Sequence, residues 1–124
     1  VGAFATDDDL FLYSPDGLID DDGLLEVKTL FSPERIMTIV GNGDTSDFED
    51  QCMFGLWITG RQWIDLVIWT PALNHMVIKR ITRDEDAIEA LESDMMAFAR
   101  LVTQYENTLR AALAANNEQA LRAA

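Results

Sequence analysis

The sequence predicts an α/β (α+β) domain: a mixed β-sheet flanked by helices, with a long helix at its C-terminal end. Three observations lead there. Residues 24–28, 63–69 and 76–81 are apolar runs that read as strands, the second especially rich in β-branched and aromatic residues. Between the first and second of these lie two stretches with helix-start signals and three-four spacing. From Asp84 onward, Ile88, Leu91, Met95, Phe98, Val102, Tyr105, Leu109 and Leu113 recur every three or four residues, the stripe of a long amphipathic helix. At 124 residues and 48% apolar, the chain has enough material for one domain with a real core.

Each element has a local reason. The Asp triplets at 7–9 and 20–22 read as solvated turns, although Asp20, Asp21 and Asp22 are near enough to tune a metal site. Residues 10–13 form a short apolar strand that stops at Ser14-Pro15-Asp16-Gly17, a strong turn signal. Leu18-Ile19 and residues 24–28 flank the second triplet as a hairpin. Alternation puts Leu25 and Val27 on one face of the second arm and Glu26 and Lys28 on the other. Ser32-Pro33-Glu34 is a cap, a first-position proline and a first-turn acid, predicting a helix over 32–40. Gly41-Asn42-Gly43-Asp44 breaks it, and Ser46 or Asp47 is expected to cap a second helix over 46–59, ended by Gly60. A strand over 63–69 closes at Thr70-Pro71, and another over 76–81 closes at Thr82-Arg83-Asp84. The last helix is expected over 84–114, its alanine-rich end fraying from 111.

Composition narrows the function. Nine basic residues face 22 acidic ones, for a net charge of −13. Residues 1–50 hold thirteen acids against Lys28 and Arg35 alone, so most of the imbalance lies there. Such acidity argues against unaided nucleic-acid binding, because phosphate contacts need Lys and Arg. Either the acids hold divalent cations, or the basic surface lies elsewhere. The single Cys52 excludes a disulfide framework or a multi-cysteine zinc site and reads as a small buried hydrophobe in a reducing, cytoplasmic setting. No run of residues is apolar enough for a membrane helix. His75 reads as a loop residue. Trp57, Trp63 and Trp69 read as core, although they are also residues on which bases stack.

Taken alone, Asp16 before Gly17 is an ordinary turn former, and Glu26 with Lys28 is an ordinary same-face ion pair. Together they are more specific. Ser14-Pro15-Asp16-Gly17-Leu18, nine residues between Asp16 and Glu26, Glu26-Val27-Lys28, then Gln51 and Trp57-Ile58-Thr59 resemble the phage lambda exonuclease family. These YqaJ-type viral recombinases belong to the PD-(D/E)xK nuclease superfamily. The resemblance runs from about Leu10 to Asp86. It implies a restriction-endonuclease-like core and hydrolysis of double-stranded DNA from an end, 5′ to 3′, leaving 3′ overhangs for phage-type recombination. It implies Mg2+, with Mn2+ able to substitute, held by Asp16, Glu26 and the Val27 carbonyl. Asp16, Glu26, Lys28 and Gln51 become the catalytic residues. The partners it implies are DNA, copies of the chain in a ring or trimer, and a single-strand annealing protein.

Phosphodiester hydrolysis explains these residue types. Mg2+ prefers carboxylate and carbonyl oxygens and keeps several waters. A lysine on the same strand face as the glutamate reaches the attacking water or the developing charge. Two departures stand out. The family often carries a second glutamine two residues after the first, where this chain has Met53. It also has an upstream helical region that Val1 to Thr6 do not supply, so the chain is expected to be the catalytic part of a longer exonuclease. A restriction-like endonuclease and a non-catalytic acidic interaction module are the alternative readings.

Overall fold

A computed structural model describes residues 2–123; Val1, the start of the segment compared with the upstream region, lies outside them. The chain divides into two units, Val1–Leu91 and Glu92–Ala124. The first unit holds the sheet. Strands β1 (Phe4–Ala5) and β2 (Leu12–Tyr13) form a small antiparallel pair. Strands β3 (Gly17–Ile19), β4 (Gly23–Thr29), β5 (Trp63–Thr70) and β6 (His75–Thr82) form the main sheet in that order. The β3–β4 and β5–β6 pairs are antiparallel, whereas β4 and β5 run parallel with Glu26 opposite Leu66. The mixed sheet is as predicted. The extra strand β1 is not: a two-residue pairing leaves no periodicity to read.

The β3–β4 hairpin turns on the second Asp triplet, with Asp20 in the left-handed region at φ 48°. Arg61 secures it by donating from one guanidinium nitrogen to the Asp20 and Gly23 carbonyls at 2.9 Å each. These three aspartates therefore form a turn, exposed to solvent. Gly23 allows a close approach: a Cβ there would run into the Trp63 ring. Arg80 covers that ring at 3.7 Å from its centroid while forming a bidentate pair with Asp65 at 2.8 and 3.0 Å.

Helix α1 (Pro33–Ile36) starts as expected, with Ser32 Oγ accepting from the Arg35 N–H. It does not run on regularly to residue 40. Residues 37–41 form a π turn in which the Asn42 N–H reaches the Met37 carbonyl at 2.9 Å. The consecutive β-branched Thr38, Ile39 and Val40 disfavour a regular α turn, and Gly41 leaves room for the Met37 sulfur. Helix α2 (Ser46–Thr59) is capped differently from expectation. Ser46 and Asp47 are its first helical residues, and the Asp44 carboxylate takes the Ser46 N–H at 3.0 Å. Thr45 occupies the cap position, but its hydroxyl oxygen accepts from the Lys79 ammonium at 2.6 Å. Gly60 in the left-handed region ends the helix.

The core lies between α2 and one face of the sheet. Phe48, Cys52, Met53 and Leu56 of α2 meet Leu24, Ile64, Leu66 and Ile68. Helix α3 (Glu85–Ala123) begins where Asp84 accepts from the Asp86 and Ala87 N–H groups, and its Ile88 and Leu91 join this core. The second unit is the rest of that helix. It continues past residue 114 because alanine is the best helix former. Phe98, Leu101, Tyr105, Leu109 and Leu113 are exposed along it. Among the described residues, no helix is long and apolar enough to cross a membrane.

Gly23→Ala should lift Trp63 from its seat under Arg80 and cost about 1–3 kcal/mol, the usual range for overpacking. Urea denaturation measures this directly, and an unchanged midpoint would mean that the ring does not depend on the glycine.

Candidate functional site

The alternation of β4 puts Glu26 and Lys28 on the side of Leu24 and Leu30, the face covered by α2. This is the less obvious outcome for charged residues. Glu26 is only 4% exposed. Burying a carboxylate costs heavily unless it is paired and hydrogen-bonded, and both conditions are met. The Tyr13 phenol donates to Glu26 Oε1 at 2.6 Å, and Lys28 Nζ stands 3.9 Å from Oε2. Burial first, and then this hydrogen bond to a carboxylate, push the Tyr13 hydroxyl well above its ordinary range. Lys28 keeps 27% of its side chain exposed and lies over the Phe48 ring, 5.7 Å from its centroid. It thus spans from the covered carboxylate to solvent.

Asp16 reaches the same strand from the turn before β3. Its Oδ2 accepts from the Val27 N–H at 2.7 Å, and its own N–H donates to the Leu25 carbonyl at 3.1 Å. Strand β3 begins only at Gly17, opposite Leu25, so its ladder does not extend along β4 as far as Val27. The N–H and C=O of one strand residue point the same way. The Val27 carbonyl therefore faces the same open edge that the Asp16 carboxylate occupies. Asp16 is exposed, which leaves its second oxygen open to solvent.

Gln51 is exposed on α2, three residues after Phe48 and four before Gly55, and makes no side-chain hydrogen bond among the described residues. Phe48 touches Lys28, and Gly55 adjoins Tyr13, so Gln51 lies on the helix stripe that borders the site. Met53, at the position of the family's second glutamine, is 9% exposed and belongs to the core. Cys52 is buried too; burial, and next the Glu26 carboxylate, raise its thiol to about 11, which disfavours the reactive thiolate. His75 opens β6 and is exposed. Trp57 packs edge-on against Phe11, and Trp63 lies beneath Arg80, so both serve the structure.

Three groups escaped the sequence reading. Tyr13 gave no sign beyond its place three residues before Asp16. Arg35 lies 5.2 Å from the Phe48 ring centroid, on the ring that Lys28 also approaches. Lys79 reaches Thr45 at the start of α2. Three of the chain's few cations thus gather around the first turn of α2. An apolar groove of about 390 Å³ between Phe31, Pro33, Met37, Val40 and Leu73 contains none of these site residues.

The donor set suits a small hard cation. Among the described residues, no three His, Cys, Asp or Glu side chains form a metal cluster. An ion here would be held by Asp16, Glu26 and the Val27 carbonyl, with water filling the remaining positions, as Mg2+ prefers.

No family model matches the chain, and no curated protein does. Solved structures do. Among them are the crystal structures of an alkaline exonuclease, LHK-Exo, from Laribacter hongkongensis, alone and in complex with dAMP. The fold is similar to that of this exonuclease. Each alignment has 32% identity over 90% of this chain, with a TM-score of 0.75. The chain spans 60% of the length of LHK-Exo.

Glu26→Gln keeps the shape but removes the charge that an ion would need. Calorimetric titration with Mg2+ should show most of the wild-type binding lost. Undiminished affinity in that variant would remove Glu26 from the ligand set.

Proposed function

We propose that the chain is the catalytic part of a Mg2+-dependent deoxyribonuclease that digests double-stranded DNA from an end. The observation that carries this reading is the convergence on β4: Asp16 bonded to the Val27 N–H, with Glu26 and Lys28 sharing the covered face. The likeness to LHK-Exo supports it, as does the dAMP in the second LHK-Exo structure, since a deoxynucleoside monophosphate is what exonucleolytic hydrolysis releases. Digestion 5′ to 3′, the use of 3′ overhangs in recombination, assembly as a ring or trimer, and an annealing-protein partner rest on the motif resemblance alone. So does an upstream helical region completing the enzyme.

A Mg2+ held by Asp16, Glu26 and the Val27 carbonyl would supply positive charge for the phosphate oxygens and Lewis acidity for hydrolysis. The protein does the rest. Asp16 and Glu26 present oxygens from two neighbouring segments, and the Val27 N–H keeps the Asp16 carboxylate turned to the strand edge. The Lys28 ammonium orients the attacking water and stabilises charge on the phosphate. Arg35 and Lys79 stand near the start of α2 as candidates for the flanking phosphates. Gln51, on the same helix, is available to hydrogen-bond the scissile group. Endonucleolytic cutting on the same core is separated from this reading by the substrate: a covalently closed circle should survive while a linear duplex is digested.

Lys28→Ala leaves both carboxylates in place. It should lower hydrolysis of linear duplex by at least about 100-fold, the scale for losing a positioned electrostatic group. Mg2+ binding should persist. Equal turnover by the variant and an active wild type would reduce Lys28 to a surface cation.

A further inference from the structure

The two carboxylates share a property beyond their position: each has one oxygen already committed to the protein. Asp16 Oδ2 holds the Val27 N–H, and Glu26 Oε1 holds the Tyr13 hydroxyl. For Glu26 the commitment is firm, because the hydrogen bond is short, 2.6 Å, and both residues are buried. The tyrosine is itself seated tightly. Its ring meets Phe54 edge-on at 6.0 Å, and α2 passes over it at Gly55, where a Cβ would lie 2.6 Å from Cζ and 2.7 Å from the hydroxyl oxygen. A glycine in mid-helix costs stability, so its presence calls for a reason. Here the reason is room for the phenol that holds Glu26.

We propose that Tyr13 is a positioning residue that sets the cation preference of the site. By occupying Oε1 it leaves Glu26 only Oε2 to offer, facing Lys28. A carboxylate restricted to one oxygen suits Mg2+, which demands near-octahedral geometry and retains its waters. Ca2+ takes more oxygens at longer distances and commonly binds carboxylates through both. The Tyr13–Glu26 hydrogen bond therefore discriminates against the larger ion, and Gly55 preserves that discrimination by keeping α2 clear of the ring. This inference rests on the metal-dependent reading above and extends it to the choice of ion.

The test is calorimetric titration of the whole chain with MgCl2 and, separately, with CaCl2. Tyr13→Phe keeps the ring, its contact with Phe54 and its seat at Gly55, and removes only the hydroxyl. The expected result is a Ca2+-to-Mg2+ affinity ratio at least about 10-fold higher than in the wild type, the lower end of the effect of groups that orient metal ligands. Gly55→Ala, which displaces the phenol without deleting it, should move the ratio in the same direction. The melting temperature of each variant without metal shows whether the fold is retained. An unchanged ratio in a folded Tyr13→Phe protein that still binds Mg2+ overturns the proposal and leaves the metal site standing. A wild-type chain that binds neither ion overturns the metal reading and this inference together.

Discussion

A carboxylate on the covered face of a sheet needs support, and Glu26 receives it through a short, buried hydrogen bond from Tyr13. Without a donor, an ionised Glu26 at 4% exposure would carry a desolvation penalty of several kcal/mol. The rest of the site follows from meeting that demand. Strand β2, outside the main sheet, must bring the Tyr13 hydroxyl to the covered face of β4. Helix α2 must cross above it with a residue no larger than glycine at position 55, and Phe48 must leave Lys28 a path to solvent. Asp16, three residues after Tyr13, is then delivered to the Val27 edge by the same segment. One short stretch, from β2 to the start of β3, thus sets both the support of one carboxylate and the position of the other.

Electrostatics points the same way. The first fifty residues carry nearly all of the net negative charge, which would repel a polyanion. Yet Lys28 and Arg35, the only cations among them, approach the same Phe48 ring, and Lys79 from β6 joins them at the start of α2. The Asp triplets form exposed turns: the second is held by Arg61, and the hydrogen bonds of the first are local, as in the Thr6 hydroxyl bond that, with the Leu10 N–H, lowers the Asp8 carboxyl below its usual range. Positive charge is scarce but gathered around the first turn of α2, with Lys28 3.9 Å from Glu26. Under the proposed function, this distribution would serve to place a phosphate against an ion.

Much of this was legible in advance, for identifiable reasons. Period-two alternation required Glu26 and Lys28 to share a face, and Ser14-Pro15-Asp16-Gly17 required a turn before a hairpin; both are local rules, and both hold. Strands β5 and β6 announced themselves by composition. Alternation cannot say which face is covered, so the burial of the charged pair was not visible. Nor were the partnerships of Tyr13 with Glu26 and of Gly55 with Tyr13, which join residues far apart in sequence through the fold. The π turn after α1 and the capping of α2 by Asp44 are cases in which several local signals compete, here β-branched residues against a helix start, and Ser46 against its acidic predecessor. Gln51 was placed by resemblance, and the fold puts it on the bordering stripe of α2 without giving it a contact there.

The central claim is that Asp16 and Glu26 form one cation site, each offering a single oxygen. Anomalous diffraction from crystals soaked in Mn2+ tests it most directly. The account predicts one dominant peak at bonding distance from one oxygen of Asp16, from Oε2 of Glu26 and from the Val27 carbonyl, with the Tyr13 hydroxyl still on Oε1. A peak held by both oxygens of Glu26, or one seated at the Asp20–Asp22 turn with nothing between Asp16 and Glu26, would contradict it.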